Sequence, residues 1–180
     1  MRRMEEAYLR YVRKLCDIDA NVLPCTAQTG WLTLYDTGSL SGSVDLQGRG
    51  NESGGVVTII WDSGYTDSKT ITAADGSWSF TGIPVGSYQV IIEMARYLDA
   101  YKSGVTVTGG GTALTKVKLL GGDANDDDSV GIDDAAIIGG VFGSSPPSNA
   151  RADINNDNVV DILDLVLMGG NYAKVSPVTW

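Results

Sequence analysis

The residues of this chain best suited to chemistry are aspartates and asparagines in two short segments near the C-terminus. The first reads DANDDDSVGIDD and the second DINNDNVVDILD. Asp123, Asn125, Asp127 and Asp134 stand at positions 1, 3, 5 and 12 of a twelve-residue loop, and Asp153, Asn155, Asp157 and Asp164 repeat them thirty residues later. Hard oxygen donors at 1, 3, 5 and 12 suit a loop that wraps a calcium ion. Position 7 donates a backbone carbonyl, from Ser129 and Val159. Position 9, reached through water, is Gly131 in the first loop and Asp161 in the second. The expected cofactors are therefore two calcium ions. Position 6, where glycine normally supplies a positive φ, is Asp128 and Asn158, which tolerate the left-handed region better than most residues.

The repeat runs beyond the donors. Val130, Ile132, Gly139, Gly140 and Pro147 are matched by Val160, Ile162, Gly169, Gly170 and Pro177, and Phe142 by Tyr172. An acidic disordered tail would have no reason for such an apolar match. Each loop should lead into one short helix, from Asp133 to about Phe142 and from Leu163 to about Tyr172, with no helix before it. Val130 and Val160, at position 8, are expected to pair the two loops through a β-bridge. Leu163, Leu165, Val166, Leu167 and Met168 leave the second helix almost no polar face, so one side must meet the sister helix and another a partner, the tail or the rest of the chain.

Composition narrows the function. Net charge is −9, and residues 121–180 carry ten aspartates against Arg151 and Lys174, a local charge of −8. The acid is concentrated where a cation would sit, and it argues against nucleic acid as a partner. There is no histidine, which removes the usual general base and nucleophile-activating arrangements. Paired carboxylates can hydrolyse glycosides, but these belong to the loop spacing, so an enzyme is not expected. Cys16 and Cys25 would form one disulfide or remain two thiols. No run approaches the roughly 20 apolar residues of a membrane span. The basic start MRRMEEAYLRYVRKLC lacks the apolar stretch of a signal peptide.

Upstream, residues 4–16 have helical apolar spacing, and residues 1–37 read as a helix and extension, a remnant of an upstream domain. From Ser39 the period becomes two. Leu40, Gly42, Val44 and Leu46 share a face; Val56–Trp61, Lys69–Ala73, a strand at Trp78 and Phe80, a strand at Tyr88, Val90 and Ile92, Val105–Val107 and Leu114–Leu120 follow, with turns between. About seven short strands of this kind make an all-β sandwich. Trp61, Tyr65, Trp78, Tyr88, Tyr97 and Tyr101 are mostly core by their alternation; only Tyr65 and Tyr101 stay open as sugar-stacking rings, so carbohydrate is expected to be met only indirectly.

Two resemblances follow. The opening G-x-V strand, the DGSWSF turn-strand, the PVGSY hairpin and the loop at Tyr97 resemble a carboxypeptidase regulatory-like, transthyretin-like domain over residues 38–120. The tandem loop–helix units, two half EF-hands, resemble a type I dockerin over about 121–174, within a module of residues 121–180. The resemblance implies a calcium-dependent adaptor that binds a cohesin-type module and attaches a secreted, polysaccharide-degrading protein to a larger assembly, outside the cell or at its surface. The chain departs from that family where the partner is read. Loop positions 10 and 11 are Ile132-Asp133 and Ile162-Leu163, and positions 17 and 18 are Gly139-Gly140 and Gly169-Gly170. A cohesin-type partner would meet these residues. The alternative is a calcium-stapled stalk whose helices pack on the sandwich of the same chain. Exposure of Leu163, Leu165 and the glycine pairs decides between the two. Trp180 is expected to clasp the start of the module.

Overall fold

A computed structural model describes residues 25–28, 31–178 and 180, with side chains from Tyr35 onward. The helix expected over 4–16, Cys16 and the side chain of Cys25 lie outside what the structure describes. A two-stranded antiparallel ribbon, β1 (Cys25–Gln28) and β2 (Trp31–Leu34), leads into the sandwich.

The sandwich has two sheets. In one, β3 (Thr37–Leu46) pairs antiparallel with β6 (Ser77–Pro84), while the short β10 (Thr112–Ala113) and β11 (Val117–Leu119) run parallel to it. In the other, β5 (Thr66–Thr70), β4 (Val56–Trp61), β7 (Gly86–Glu93) and β9 (Ala100–Val107) lie side by side, all antiparallel. Alternation places Leu40, Val44, Leu46 and Phe80 of the first sheet in one core with Val57, Ile59, Tyr88, Val90 and Ile92 of the second. Two expected strands differ in detail. The strand anticipated at Lys69–Ala73 is β5, ending at Thr70, because its register is set by pairing along β4. Of the strand anticipated at Leu114–Leu120 only Val117–Leu119 forms, as β11; β10 lies before that segment, and the two meet β3 at separate registers.

Residues 121–178 fold as the loop–helix module. Its helices, α1 (Ile132–Gly140) and α2 (Ile162–Gly170), are both closed at the start by a box in which the position-12 aspartate accepts from the N-cap amide. A single 3-10 turn, Ala150–Ala152, precedes the second loop, where no helical turn was expected. Leu120-Gly121-Gly122 is not a linker. Gly121 to Asp123 form a short strand, β12, paired with β8 (Arg96–Tyr97) of the sandwich and buried throughout. Gly122 has φ +129°, and a Cβ there would lie 2.7 Å from the Met168 backbone, so only glycine lets α2 close on this strand.

The module and sandwich therefore share a core. Leu167 of α2 covers Gly48, Asn171 reaches Gln47 and the Gly121 carbonyl, and Tyr97, 2% exposed, places its hydroxyl 3.0 Å from both the Gln47 and Ile154 carbonyls. Burial pushes the Tyr97 phenol up to about 12, so it remains a donor. Tyr97→Phe leaves the buried Ile154 carbonyl and the partly buried Gln47 carbonyl without that donor and is expected to destabilise the chain by about 1–3 kcal/mol, read as a lower urea midpoint at unchanged m.

Candidate cation loops and the exposed helix face

Both loops are bent by their own backbone. Positions 4 and 6 are left-handed: Asp126 and Asp128 at φ +57° and +67°, Asn156 and Asn158 at +59° and +72°. These turns aim amides at the first aspartate of each loop. Asp123 accepts from Asp127 N and Asp128 N, and Asp153 from Asp157 N and Asn158 N. Asp134 and Asp164 draw the ends together, Asp134 accepting from Asn125 N and Gly131 N, and Asp164 from Ile154 N, Asn155 N and Asp161 N. In both loops the position-3 asparagine donates to the position-5 aspartate.

The donor chemistry suits a hard divalent cation. Asp123, Asp134, Asp153 and Asp164 are at most 5% exposed, and among the described residues the ion pairs are Lys118–Asp45 and Arg151–Asp126, neither of which neutralises them. Amide hydrogen bonds offset part of the cost of burying such carboxylates; a bound cation would offset the rest. Among the described residues no three acidic side chains converge as a ready-made cage. Their oxygens are held by loop amides instead, and an ion would have to draw them inward. Asp161, expected at position 9, caps α2 through Leu163 N, while Ser129 Oγ donates to Asp127.

The electrostatics follow from crowding. Burial, with Asp134 and Asp127 adding to it, pushes Asp123 up to about 6. Burial together with Asp128 and Glu93 pushes Asp99 up to about 7, and burial raises Asp164. Hydrogen bonds from Asn125 and Ser129 hold Asp127 below the ordinary range. A carboxyl raised in the folded state binds protons there more tightly than in the unfolded chain, so stability falls as pH rises from the ordinary carboxylate range near 4 to about 7. Chelator-stripped protein is thus expected to melt higher at pH 5 than at pH 7.5; a flat or rising profile would contradict this.

The β-bridge expected between Val130 and Val160 is not formed. Val130 pairs with Ala173 and Lys174 after α2, and Val160 with Gly143 and Ser144 after α1. Each loop is thereby tied to the chain that leaves the other loop's helix, and both valines are buried. Beyond Lys174 the tail straps the first loop to the sandwich. Ser176 N donates to the Asp128 carbonyl, Ser176 Oγ accepts from Asp99 N, and Val178 bridges Ala100. Trp180 clasps the sandwich rather than the start of the module: its Nε1 donates to Thr115 O and Lys102 lies over its ring.

The predicted partner residues are open. Ile132, Ile162 and Leu163 are 68%, 59% and 52% exposed. Asp133 and the pairs Gly139-Gly140 and Gly169-Gly170 are also exposed, and a Cβ at any of these glycines would meet nothing. Val166, Phe142, Tyr172 and Val175 widen the apolar surface. Phe142 and Tyr172 were visible only as a repeat match, and no spacing rule singled them out as surface. Of the aromatics left open as sugar-stacking rings, Tyr101 is exposed and Tyr65 half-buried.

Residues 39–120 match the carboxypeptidase regulatory-like domain. Solved structures extend the likeness. Two interface mutants of a type II cohesin–X-dockerin complex from Acetivibrio cellulolyticus, one altered at an N-terminal and one at a C-terminal interface, contain chains that superpose with TM-scores of 0.67 and 0.64. Each is 23% identical, and the match covers 77% of this chain and 97% of theirs. That coverage is more than residues 39–120 could supply, so the shared fold continues past the carboxypeptidase regulatory-like domain into the loop–helix module. No curated protein matches the chain.

Proposed function

We propose that this chain is a protein-binding unit in which a dockerin-like module, folded around two calcium ions, presents α1 and α2 to a cohesin-type partner, with the carboxypeptidase regulatory-like domain as its rigid base. Asp123, Asn125, Asp127, the Ser129 carbonyl and Asp134 would hold one ion; Asp153, Asn155, Asp157, the Val159 carbonyl, Asp161 and Asp164 the other. When bound, the ions supply the positive charge that lets the buried aspartates remain ionised. The aspartates shape the loops and fix where each helix starts. The observation that carries the reading is the apolar helix face: Ile132, Ile162, Leu163 and Val166 point into solvent although the same module buries Met168 and Ile138. On α2, Ile162 and Leu163 stand three to four residues before Val166, and exposed apolar groups gathered in this way are expected of a binding surface.

The stalk alternative draws support from the shared core between module and sandwich. Its requirement that Leu163, Leu165 and the glycine pairs be covered is met at Leu165, which is partly buried against the core, and not at Leu163 or the glycines. The regulatory-like family contributes no catalytic residues, which favours binding over catalysis. A role outside the cell, attaching a polysaccharide-degrading protein to a larger assembly, follows from the dockerin likeness. The test is capture of the chain on an immobilised cohesin-type module in calcium and in EDTA. Capture in calcium alone supports the proposal; no capture in either, with the chain folded, leaves the stalk.

A further inference from the structure

We propose that Arg96, a residue of the sandwich, is a positioning residue that couples the two acidic loops, so that an ion taken by one loop changes the affinity of the other. The proposal rests on the reading that both loops take calcium.

Arg96 has φ +74°, a region that disfavours an L-residue by roughly 1 kcal/mol or more, and it has no short polar side chain to ease the turn. The conformation lets one residue hold both loops. Its amide donates to Asp126 Oδ1 at 2.7 Å in the first loop. Its guanidinium reaches the second loop, donating to the Asp153 carbonyl and, at 3.2 Å, to Asn156 Oδ1, and also to the Ala150 carbonyl at 3.0 Å. Asp126 and Asn156 are equivalent: each is position 4 of its loop, between the donors at positions 3 and 5, and each is left-handed. A shift at either therefore moves two candidate ligands.

A second guanidinium closes the circuit. Arg151, in the 3-10 turn whose Ala150 carbonyl Arg96 holds, donates to the Asn125 carbonyl at 2.9 Å and lies 3.3 Å from Asp126 Oδ2. The Arg151–Asp126 pair is well exposed and contributes little by itself, which leaves Arg96 as the stronger link. Only a guanidinium can present several N–H groups in one plane to carbonyls on different turns; a lysine at 96 would keep the charge and lose the fork.

The test uses the full chain with calcium alone as the probe. Asp127→Ala disables the first loop, and Asp157→Ala the second. With Arg96 present, calorimetry is expected to show that disabling the first loop changes the affinity of the second by at least about fivefold, the lower end of ordinary coupling. Arg96→Gly, which suits the backbone at this position, is expected to reduce that ratio below about twofold, with Arg96→Lys in between. A second readout needs no metal. In chelator-stripped protein, Asp126→Ala is expected to speed amide exchange at residues 153–158, and this effect should at least halve in the Arg96→Gly background. The inference is overturned if Arg96→Gly weakens both loops equally and leaves the ratio unchanged, or if Asp126→Ala acts equally in both backgrounds. A chain that takes no calcium at all refutes the proposed function instead, and the exchange cycle then decides the role of Arg96.

Discussion

Removing calcium is expected to lower the melting temperature of the full chain by at least about 10 °C and to loosen residues 121–178. The reason is the burial of Asp123, Asp134, Asp153 and Asp164, all at most 5% exposed and without a lysine or arginine partner among the described residues. Loop amides satisfy their oxygens but leave their charges uncompensated, and folding should be linked to metal uptake. At a hundredfold excess over the dissociation constant, each ion adds about 2.7 kcal/mol, and each kcal/mol moves the midpoint of a domain this size by roughly 2–4 °C or more. Because Tyr97 joins the sandwich to the Ile154 carbonyl of the module through a buried hydrogen bond, and Asn171 of the module reaches Gln47 of the sandwich, the sandwich should lose stability too. Calorimetric scans in calcium and in EDTA make the comparison, with magnesium as the control for ionic strength. Superimposable scans would remove the metal from the account.

Leu163→Asp is expected to weaken a cohesin-type partner at least about 30-fold, the loss of a side chain worth roughly 2 kcal/mol at an interface centre. Stability should barely change, because the Leu163 side chain is half exposed and its part in the α2 cap is its backbone N–H, which the substitution keeps; surface side-chain changes of this kind usually stay within about 0.5 kcal/mol. At position 163 the two halves of the module differ in charge: the counterpart in the first repeat is Asp133. The face on α2 is thus the more apolar of the two, with Val166 opposite Ala136 as well, and should carry most of the contact. The measurement pairs a binding titration with a melt of the same variant. Loss of binding at unchanged melting temperature locates the contact on α2. Unchanged binding would move it away from this face, and a large drop in melting temperature would mean that Leu163 is structural.

Much of the site was legible before any fold was known. The candidate donors of each loop lie within twelve residues, so spacing alone names them, and the left-handed turns at Asp128 and Asn158 followed from the same pattern, while the side chains themselves do not converge as a cage. The sandwich was legible from period-two alternation, with errors at Lys69–Ala73 and Leu114–Leu120 because strand ends are set by the neighbouring strand. The apolar character of α2 was readable as composition, but not its exposure: Leu167 and Met168 turn to the sandwich and to β12 while Leu163 and Val166 turn outward.

What the sequence alone determined, then, was the loop–helix repeat and the β-sandwich, and it proposed the candidate donors, since each is written in residues close together along the chain. The tertiary structure decided how they join. Gly121 and Gly122 became a buried strand instead of a linker, Val130 and Val160 took partners beyond the opposite helices, and Trp180 closed on the sandwich. Arg96 meets groups that stand 30 to 60 residues away. A contact of that separation leaves no period or spacing in the sequence, and it exists only because folding brings the two loops to the same edge of the sandwich.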